Sequence, residues 1–457
     1  MRRLLPIAAV AVLLAALTAS ATPAAARIGL AQAHGFAPRQ LVVKFEGQRV
    51  GRRLALPTGA SVRESAAALR QNPRVEYAVP NYVATASTAP TSFEIPNDPG
   101  TLEGAAEAAL STGGWAFKQW NFLNWESSPS QKLPISPGGI DAVDAWRHLA
   151  EVGRPGAEKV TVAILDTGVA YRADGTRFLR SPDFTSNQFV QGYDFVGRDR
   201  LPLDENGHGT HVAGTIGEKT DNGIALTGLA YRAKLMPVRV LDAHGRGDAT
   251  TIAKGIRFAV AHGAQVINMS FNFGCHKKVP VVDEALREAY AHGIVTVASA
   301  GNIGSETCVS EPATGPRVIA VGGTTEGGCL GDYSLAGSAI DVVAPGGGLP
   351  VGGCPSVSAR PIYQVTLKPG STSLFAIPSN YIGTSMAAAH VSGVAAMVLA
   401  SGVLGRQPSP KARVQAVTRR LRSTARSIGL PPTQQGAGLI DAGRATEFIP
   451  DSARTSK

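Results

Sequence analysis

Three stretches hold residues that could activate one another. AILDTGVA puts Asp166 at the end of an apolar run, just before Thr-Gly. DENGHGTHVAGTIG puts His208 between two glycines, at the entry to a run of small residues. GTSMAAAHVSG puts Ser385 at the entry to another. A serine hydroxyl is a poor nucleophile at its own pKa. It needs a neutral imidazole to take its proton, and a carboxylate to fix the imidazole tautomer and support the imidazolium. A serine at a helix N-terminus gains a second asset, because its own backbone N–H and the helix dipole face any oxyanion that develops there. The chemistry open to such a set is acyl transfer. Taken singly, each residue has a plainer reading: Asp166 as a turn residue, Ser385 as filler in a closely packed helix.

Positioning three groups so far apart in sequence requires a rigid frame. From about residue 140 the pattern suits one. The run VTVAILD (160–166) is apolar and ends in an acid; LMPVRVLD (235–242), AQVINMSF, IVTVASAGN and VIAVGG are further apolar runs. Between them lie helix-like segments, ATTIAKGIRFAVAHG and VDEALREAYAHG. Such alternation predicts a buried, mostly parallel sheet in an α/β domain. Functional groups collect at the carboxyl ends of such strands, and Asp166, Ser270 and Asn302 sit at or just past them.

The N-terminal part reads differently. Met1-Arg2-Arg3 is basic, residues 4–17 are a short apolar run, and small-residue sites end at Ala21 and Ala26. This pattern predicts a secretory signal over residues 1–26, and an extracellular or periplasmic location. A small α+β unit is expected over 27–90, from a strand at LVVKF (41–45), a helix opened by the capping pair Ser61 and Glu64, and a strand at VEYAVPNYVA. The Thr/Ser/Pro-rich segment 85–101 reads as a linker. The main domain is expected over 91–449, with a basic tail over 450–457.

Composition narrows the field. Hydrophobic residues at 44% and charged residues at 17% suit a globular chain. The net charge of +10 is spread without a long Lys/Arg run, so nucleic acid is not an expected partner, and the charge implies solubility and weak attraction to acidic surfaces. No second apolar run of spanning length stands out, so no membrane partner is expected and a monomer is. Export gives meaning to the four cysteines, Cys275, Cys308, Cys329 and Cys354. Three pairings are possible; closeness along the chain favours Cys275–Cys308 and Cys329–Cys354.

Together, the three motifs, in the order Asp, His, Ser, resemble the subtilisin-type serine proteases (subtilases), with precursor segments in front. The resemblance implies a subtilisin-like three-layer α/β fold and a serine endopeptidase. It implies Asp166 as the orienting acid, His208 as general base and acid, Ser385 as nucleophile, and Asn302, in ASAGN, as an oxyanion-hole donor. It also implies that Gly383 and Thr384 leave room for the substrate carbonyl. One departure is Ala389, where the family usually carries proline before the His390 position. A serine esterase is a weaker match, because Ser385 sits in Gly-Thr-Ser-Met-Ala rather than G-x-S-x-G. A silent binding protein of the same fold would be expected to lack one of these four residues.

The same resemblance extends to binding. Ser270, Phe271 and Asn272 would pair with an extended peptide substrate. Asn272 stands where the family usually has glycine. Ser299, Ala300 and Gly301 would wall the first pocket, and no acidic cluster there demands a basic residue. The stretch TDNGIALTG resembles the family's calcium loop. Asn222 would supply a side-chain oxygen, Ile224 and Leu226 their carbonyls, and Asp98 and Asp183 carboxylates, a hard-oxygen set that suits calcium. The small N-terminal unit resembles a subtilase propeptide, implying a folding aid and inhibitor that is cleaved within 85–96.

Overall fold

The computed structural model describes residues 36–82, 95–102, 114–127, 133–304, 308–356 and 358–448. The expected signal segment, most of the linker and the basic tail lie outside them. The chain divides into two compact units, Met1–Thr88 and Ala89–Lys457.

In the first unit, strands β1 (Phe36–Phe45), β2 (Arg52–Ala55) and β3 (Val75–Tyr82) form an antiparallel sheet in the order β2-β1-β3. Helix α1 (Val62–Leu69) starts where Ser61 accepts from the Glu64 N–H. Leu41, Val43, Leu56, Val62, Ala66 and Ala78 form its core. β3 contains Pro80, tolerated because β3 is an edge strand. The sequence reading had no β2. Its four residues, RRLA, show no apolar alternation and are mostly exposed.

The second unit is built on seven strands: β4 (Thr161–Asp166), β5 (Tyr193–Asp194), β6 (Lys234–Arg239), β7 (Val266–Met269), β8 (Val295–Ser299), β9 (Val318–Thr324) and β10 (Val342–Pro345). Their order is β10-β9-β8-β7-β4-β6-β5 and every pairing is parallel. Nearly continuous burial along β4, β7, β8, β9 and β10 explains their unbroken apolar runs. A two-stranded ribbon, β11 (Thr366–Leu367) with β12 (Phe375–Ala376), lies outside the main sheet.

The longer helices are α2 (Ala142–Glu151), α3 (His208–Gly217), α4 (Ala249–Ala261), α5 (Pro280–Ala291), α6 (Thr384–Ser401) and α7 (Pro410–Thr424). α4 and α5 bury one apolar stripe each. α6 differs: it is buried from Thr384 through Val398. It is long and apolar enough to cross a membrane, yet 89% of it is buried inside the protein, so its small residues serve packing on all sides. Both disulfides join the favoured pairs, Cys275–Cys308 and Cys329–Cys354.

Register places the chemistry. Leu165 pairs with Met269, and Met269 with Ala298. Asp166, Ser270 and Ser299 therefore follow in one row at the carboxyl ends of three adjacent strands. The N-termini of α3 and α6 carry His208 and Ser385 to the same end of the sheet.

Candidate active site

Asp166 ends β4 fully buried, and its Oδ1 accepts from the Thr167 N–H at 2.8 Å. The same oxygen lies 2.7 Å from His208 Nδ1. A carboxylate can only accept here, so Nδ1 carries the proton and Nε2 is left with a lone pair. This is the tautomer a general base needs. Burial lowers the His208 pKa, the charge and hydrogen bond of Asp166 raise it, and the balance lies above the ordinary 6.5.

The helix start that carries His208 is held by Asp204, an acid of the same motif whose role local sequence does not mark. Asp204, 1% exposed, accepts from the N–H groups of Asn206, Gly207 and Thr210 at 2.9–3.0 Å. It also accepts from the hydroxyls of Thr210 at 2.6 Å and Thr167 at 2.9 Å. These bonds satisfy the free N–H groups at the start of α3. Thr167 Oγ1 in turn accepts from the Gly209 N–H at 3.0 Å. Gly209 must be glycine, because a Cβ there would lie 2.1 Å from the Gly168 carbonyl. The strand end and the helix start are thus locked together.

Ser385 lies in the first turn of α6 and is 8% exposed. Its hydroxyl donates to the Ser270 carbonyl at 3.0 Å, and Ser270 Oγ donates back to the Ser385 carbonyl at 2.8 Å. A buried chain continues from Ser270 to Asn268 and Ser392, at 2.9 Å each. The bond from Ser385 to His208 that general-base catalysis requires is therefore not the one this rotamer makes. Catalytic hydrogen bonds often tighten only when substrate is bound.

Asn302 is oriented by chemistry that fixes which end is which. Its Oδ1 accepts from both the N–H and the hydroxyl of Thr384, at 2.8 and 2.7 Å. Thr384 Oγ1 accepts in turn from the Gly301 N–H at 3.1 Å. With Oδ1 so used, the Nδ2 donors are aimed elsewhere. They lie beside Gly383, where a Cβ would sit 3.0 Å from Nδ2, and the Ser385 N–H has no acceptor among the described residues. Two donors are thus left free near one serine hydroxyl.

The residues read as substrate-binding fall into two groups. Asn272 is exposed, and its main-chain N–H and C=O make no hydrogen bond among the described residues. Phe271 is half-buried and its carbonyl accepts from Ser299 Oγ at 3.3 Å. Ser270, Ser299, Ala300 and Gly301 are buried, and Ser270 faces α6. The two other histidines of the motifs lie inside. His211 stacks on Tyr381 at 4.0 Å, and His390 donates to the Met386 carbonyl and accepts from Asn121. Burial lowers their pKa values to about 3 and about 4.

The residues read as calcium ligands converge, all oxygen-bearing. Asp98 is fully buried and accepts from the Asp221 and Asn222 N–H groups at 3.2 Å. Asp183, also fully buried, accepts from Asn222 Nδ2 at 2.7 Å and the Leu226 N–H at 3.0 Å. Burial raises these carboxyls to about 7 and about 8, values that a cation would oppose. The Ile224 and Leu226 carbonyls accept no hydrogen bond among the described residues. Asn222 presents its nitrogen, not its oxygen, to Asp183, so ligation by Oδ1 needs the amide turned over. Among the described residues no group of three or more His, Cys, Asp or Glu side chains is placed to hold a metal; the set fits calcium through carbonyls and two carboxylates. Glu218 nearby was missed. It is fully buried, neither carboxyl oxygen has a partner at normal hydrogen-bond geometry among the described residues, and burial with the charges of Asp183 and Asp98 pushes its pKa well up against a weaker pull from the Val365 N–H.

Comparison with known proteins fits this geometry. Residues 157–438 match Peptidase S8, the subtilase family. The thermophilic serine proteinase of Bacillus sp. (strain AK1) is 32% identical over 73% of this chain and 66% of its own length. Subtilisin DY of Bacillus licheniformis is 34% identical over 68% of this chain and 98% of its own. Among solved structures, a protease from Pseudoalteromonas arctica PAMC 21717 is 29% identical with a TM-score of 0.58, covering 77% of this chain and 99% of that one. The chain belongs to the subtilase family of subtilisin-type serine endopeptidases.

Proposed function

We propose that the chain is a secreted endopeptidase, made as a precursor, that cleaves peptide bonds with Asp166, His208 and Ser385. The observation that carries this reading is the 2.7 Å Asp166–His208 bond at the end of the strand beside Ser270, to which Ser385 at the α6 N-terminus is hydrogen-bonded. Rotation of the Ser385 hydroxyl away from the Ser270 carbonyl frees it for His208 Nε2. Nε2 takes its proton as Oγ bonds to the substrate carbonyl carbon. The C=O electron pair moves onto oxygen, where Asn302 Nδ2 and the Ser385 N–H donate to it. Collapse breaks the C–N bond, His208 returns the proton to the leaving amine, and an acyl-enzyme remains. Water, deprotonated by His208, then adds to the acyl carbon, the C–Oγ bond breaks, His208 returns the proton to Ser385 Oγ, and the acid leaves.

The substrate on this reading is an extended peptide that pairs with the free main chain of Asn272, between the 270–272 segment and the 299–301 wall. Broad or apolar specificity follows from the lack of an acidic group among these residues. Calcium would be held by Asp98, Asp183, Asn222 and the Ile224 and Leu226 carbonyls, and it would supply counter-charge to two buried carboxylates. The small unit expected over 27–90 acts as an inhibitory propeptide.

The test compares the secreted wild type with Ser385→Ala by intact mass and N-terminal sequence. A wild type beginning within about residues 85–97, beside a mutant that keeps its N-terminal unit, supports self-processing. Identical processing of both overturns self-processing and leaves activity to direct assay.

A further inference from the structure

The cations that the sequence scatters are gathered by the fold on one side of the second unit. Two cavities, of about 520 and 660 Å³, adjoin at Gln191 and Arg200, which line both. Arg198 and Lys254 also line the smaller, and Arg172 the larger. No Asp or Glu lines either. All four cations are exposed, and none makes an ion pair among the described residues. Two of the neighbouring acids are ion-paired with arginines outside the lining, whereas Asp174 and Asp199 keep charges that reach Tyr171. Asp199 turns its carboxylate to the Leu201 N–H at 2.7 Å, Asp194 holds Arg239, and Glu205 holds Arg177 and Arg239. The lining itself thus carries four cations and no carboxylate, a balance that attracts anions.

Its floor is aromatic. Tyr193 packs on Phe195 at 4.6 Å and on Phe258 at 5.8 Å, and exposed His262 stacks on Phe258 at 3.8 Å. Tyr171 and Phe189, 5.4 Å apart, floor the larger cavity. The side chains of Gln191 and Ser186 make no hydrogen bond among the described residues and are free to meet a ligand's hydroxyls.

We propose that this groove binds an anionic polysaccharide, a chain of sugar rings bearing sulfate or carboxylate. Guanidinium and ammonium groups take the acid substituents, exposed His262 and the outward ring edges take sugar C–H groups, and the free amide and hydroxyl take the sugar hydroxyls. An extended peptide has no edge to join. Asp194 of the edge strand β5 is already paired in both directions with Asp199, at 2.9 and 3.1 Å. Single-stranded nucleic acid needs a succession of open stacking faces, whereas all these rings but His262 are half-buried against one another.

The test measures binding of dextran sulfate and neutral dextran to the intact protein by affinity electrophoresis. Arg200→Glu/Lys254→Glu is compared with Arg406→Glu/Lys411→Glu, an exposed pair outside the groove that changes net charge equally. The groove variant is expected to lose at least about tenfold in affinity for dextran sulfate and the control less than about twofold, both with unchanged melting temperature. Equal losses in the two variants would make the binding one of net charge alone and overturn the site. Absence of dextran sulfate binding would overturn it too. Polyuridylate or polyglutamate displacing dextran sulfate from the groove at lower concentration would overturn the polysaccharide assignment.

Discussion

Thr384 decides which end of the Asn302 amide faces outward. Its N–H and hydroxyl both donate to Asn302 Oδ1, at 2.8 and 2.7 Å, and only Nδ2 is left to donate outward. Thr384→Val keeps the shape and the main-chain bond but removes the hydroxyl. The expected result is a fall in kcat of roughly tenfold with little change in KM, since one hydrogen bond of about 1.4 kcal/mol no longer holds a transition-state donor. Asn302→Ala should cost far more, about 10²–10³ in kcat, a magnitude whose reference measurement is subtilisin itself. Steady-state kinetics on a short peptide checks both. Equal effects on kcat and KM would place Thr384 in substrate binding instead.

The acid limb of the pH profile follows from His208. Only neutral His208 can take the Ser385 proton. Its pKa lies above 6.5, because the Asp166 charge and hydrogen bond outweigh burial. Activity should therefore fall as pH drops through a midpoint above 6.5. In Asp166→Asn the acid limb should move to lower pH, and kcat should fall by about 10⁴, since an amide nitrogen facing Nδ1 favours the wrong tautomer. Measuring kcat/KM against pH for both proteins checks the shift and its sign.

Glu218 carries a stability prediction. Its folded pKa is raised well above 4.5 by burial and by Asp183 and Asp98. An acid with a raised folded pKa stabilises fully below its unfolded pKa, and stability is lost as pH rises. Glu218→Gln, which stays neutral, should raise the melting temperature at pH 8 and leave it nearly unchanged at pH 4. Thermal unfolding in a Ser385→Ala background avoids autolysis, and a chelator keeps calcium from offsetting the Asp98 and Asp183 charges. A lower melting temperature at pH 8 would mean that an ionised Glu218 has a partner.

What was legible in the sequence was a set of residues, carried by short local words, that the fold brings together at one end of the sheet. Asp166, His208, Ser385 and Asn302 each sit at a strand end or helix start whose pattern spans only about ten residues, and the parallel sheet showed in unbroken apolar runs. What was not legible depends on contacts between distant segments. Asp204 reads as one acid among several until five donors converge on it. Thr384 reads as a small residue until it meets Asn302, 82 positions away. Glu218, in GEKTD, looks like a solvated face, and its burial is a tertiary property. The cationic groove draws on four residues in three separate segments, so no charge run announces it.

The central claim is that Ser385 is a nucleophile activated by His208. The direct measurement is reaction with a serine-directed sulfonyl fluoride, followed by intact mass and peptide mapping. One label on Ser385 is predicted, formed at least about 10³-fold more slowly in His208→Ala, with activity lost in step with labelling. Labelling elsewhere, equal rates in the two proteins, or peptide hydrolysis that survives Ser385→Ala would contradict it.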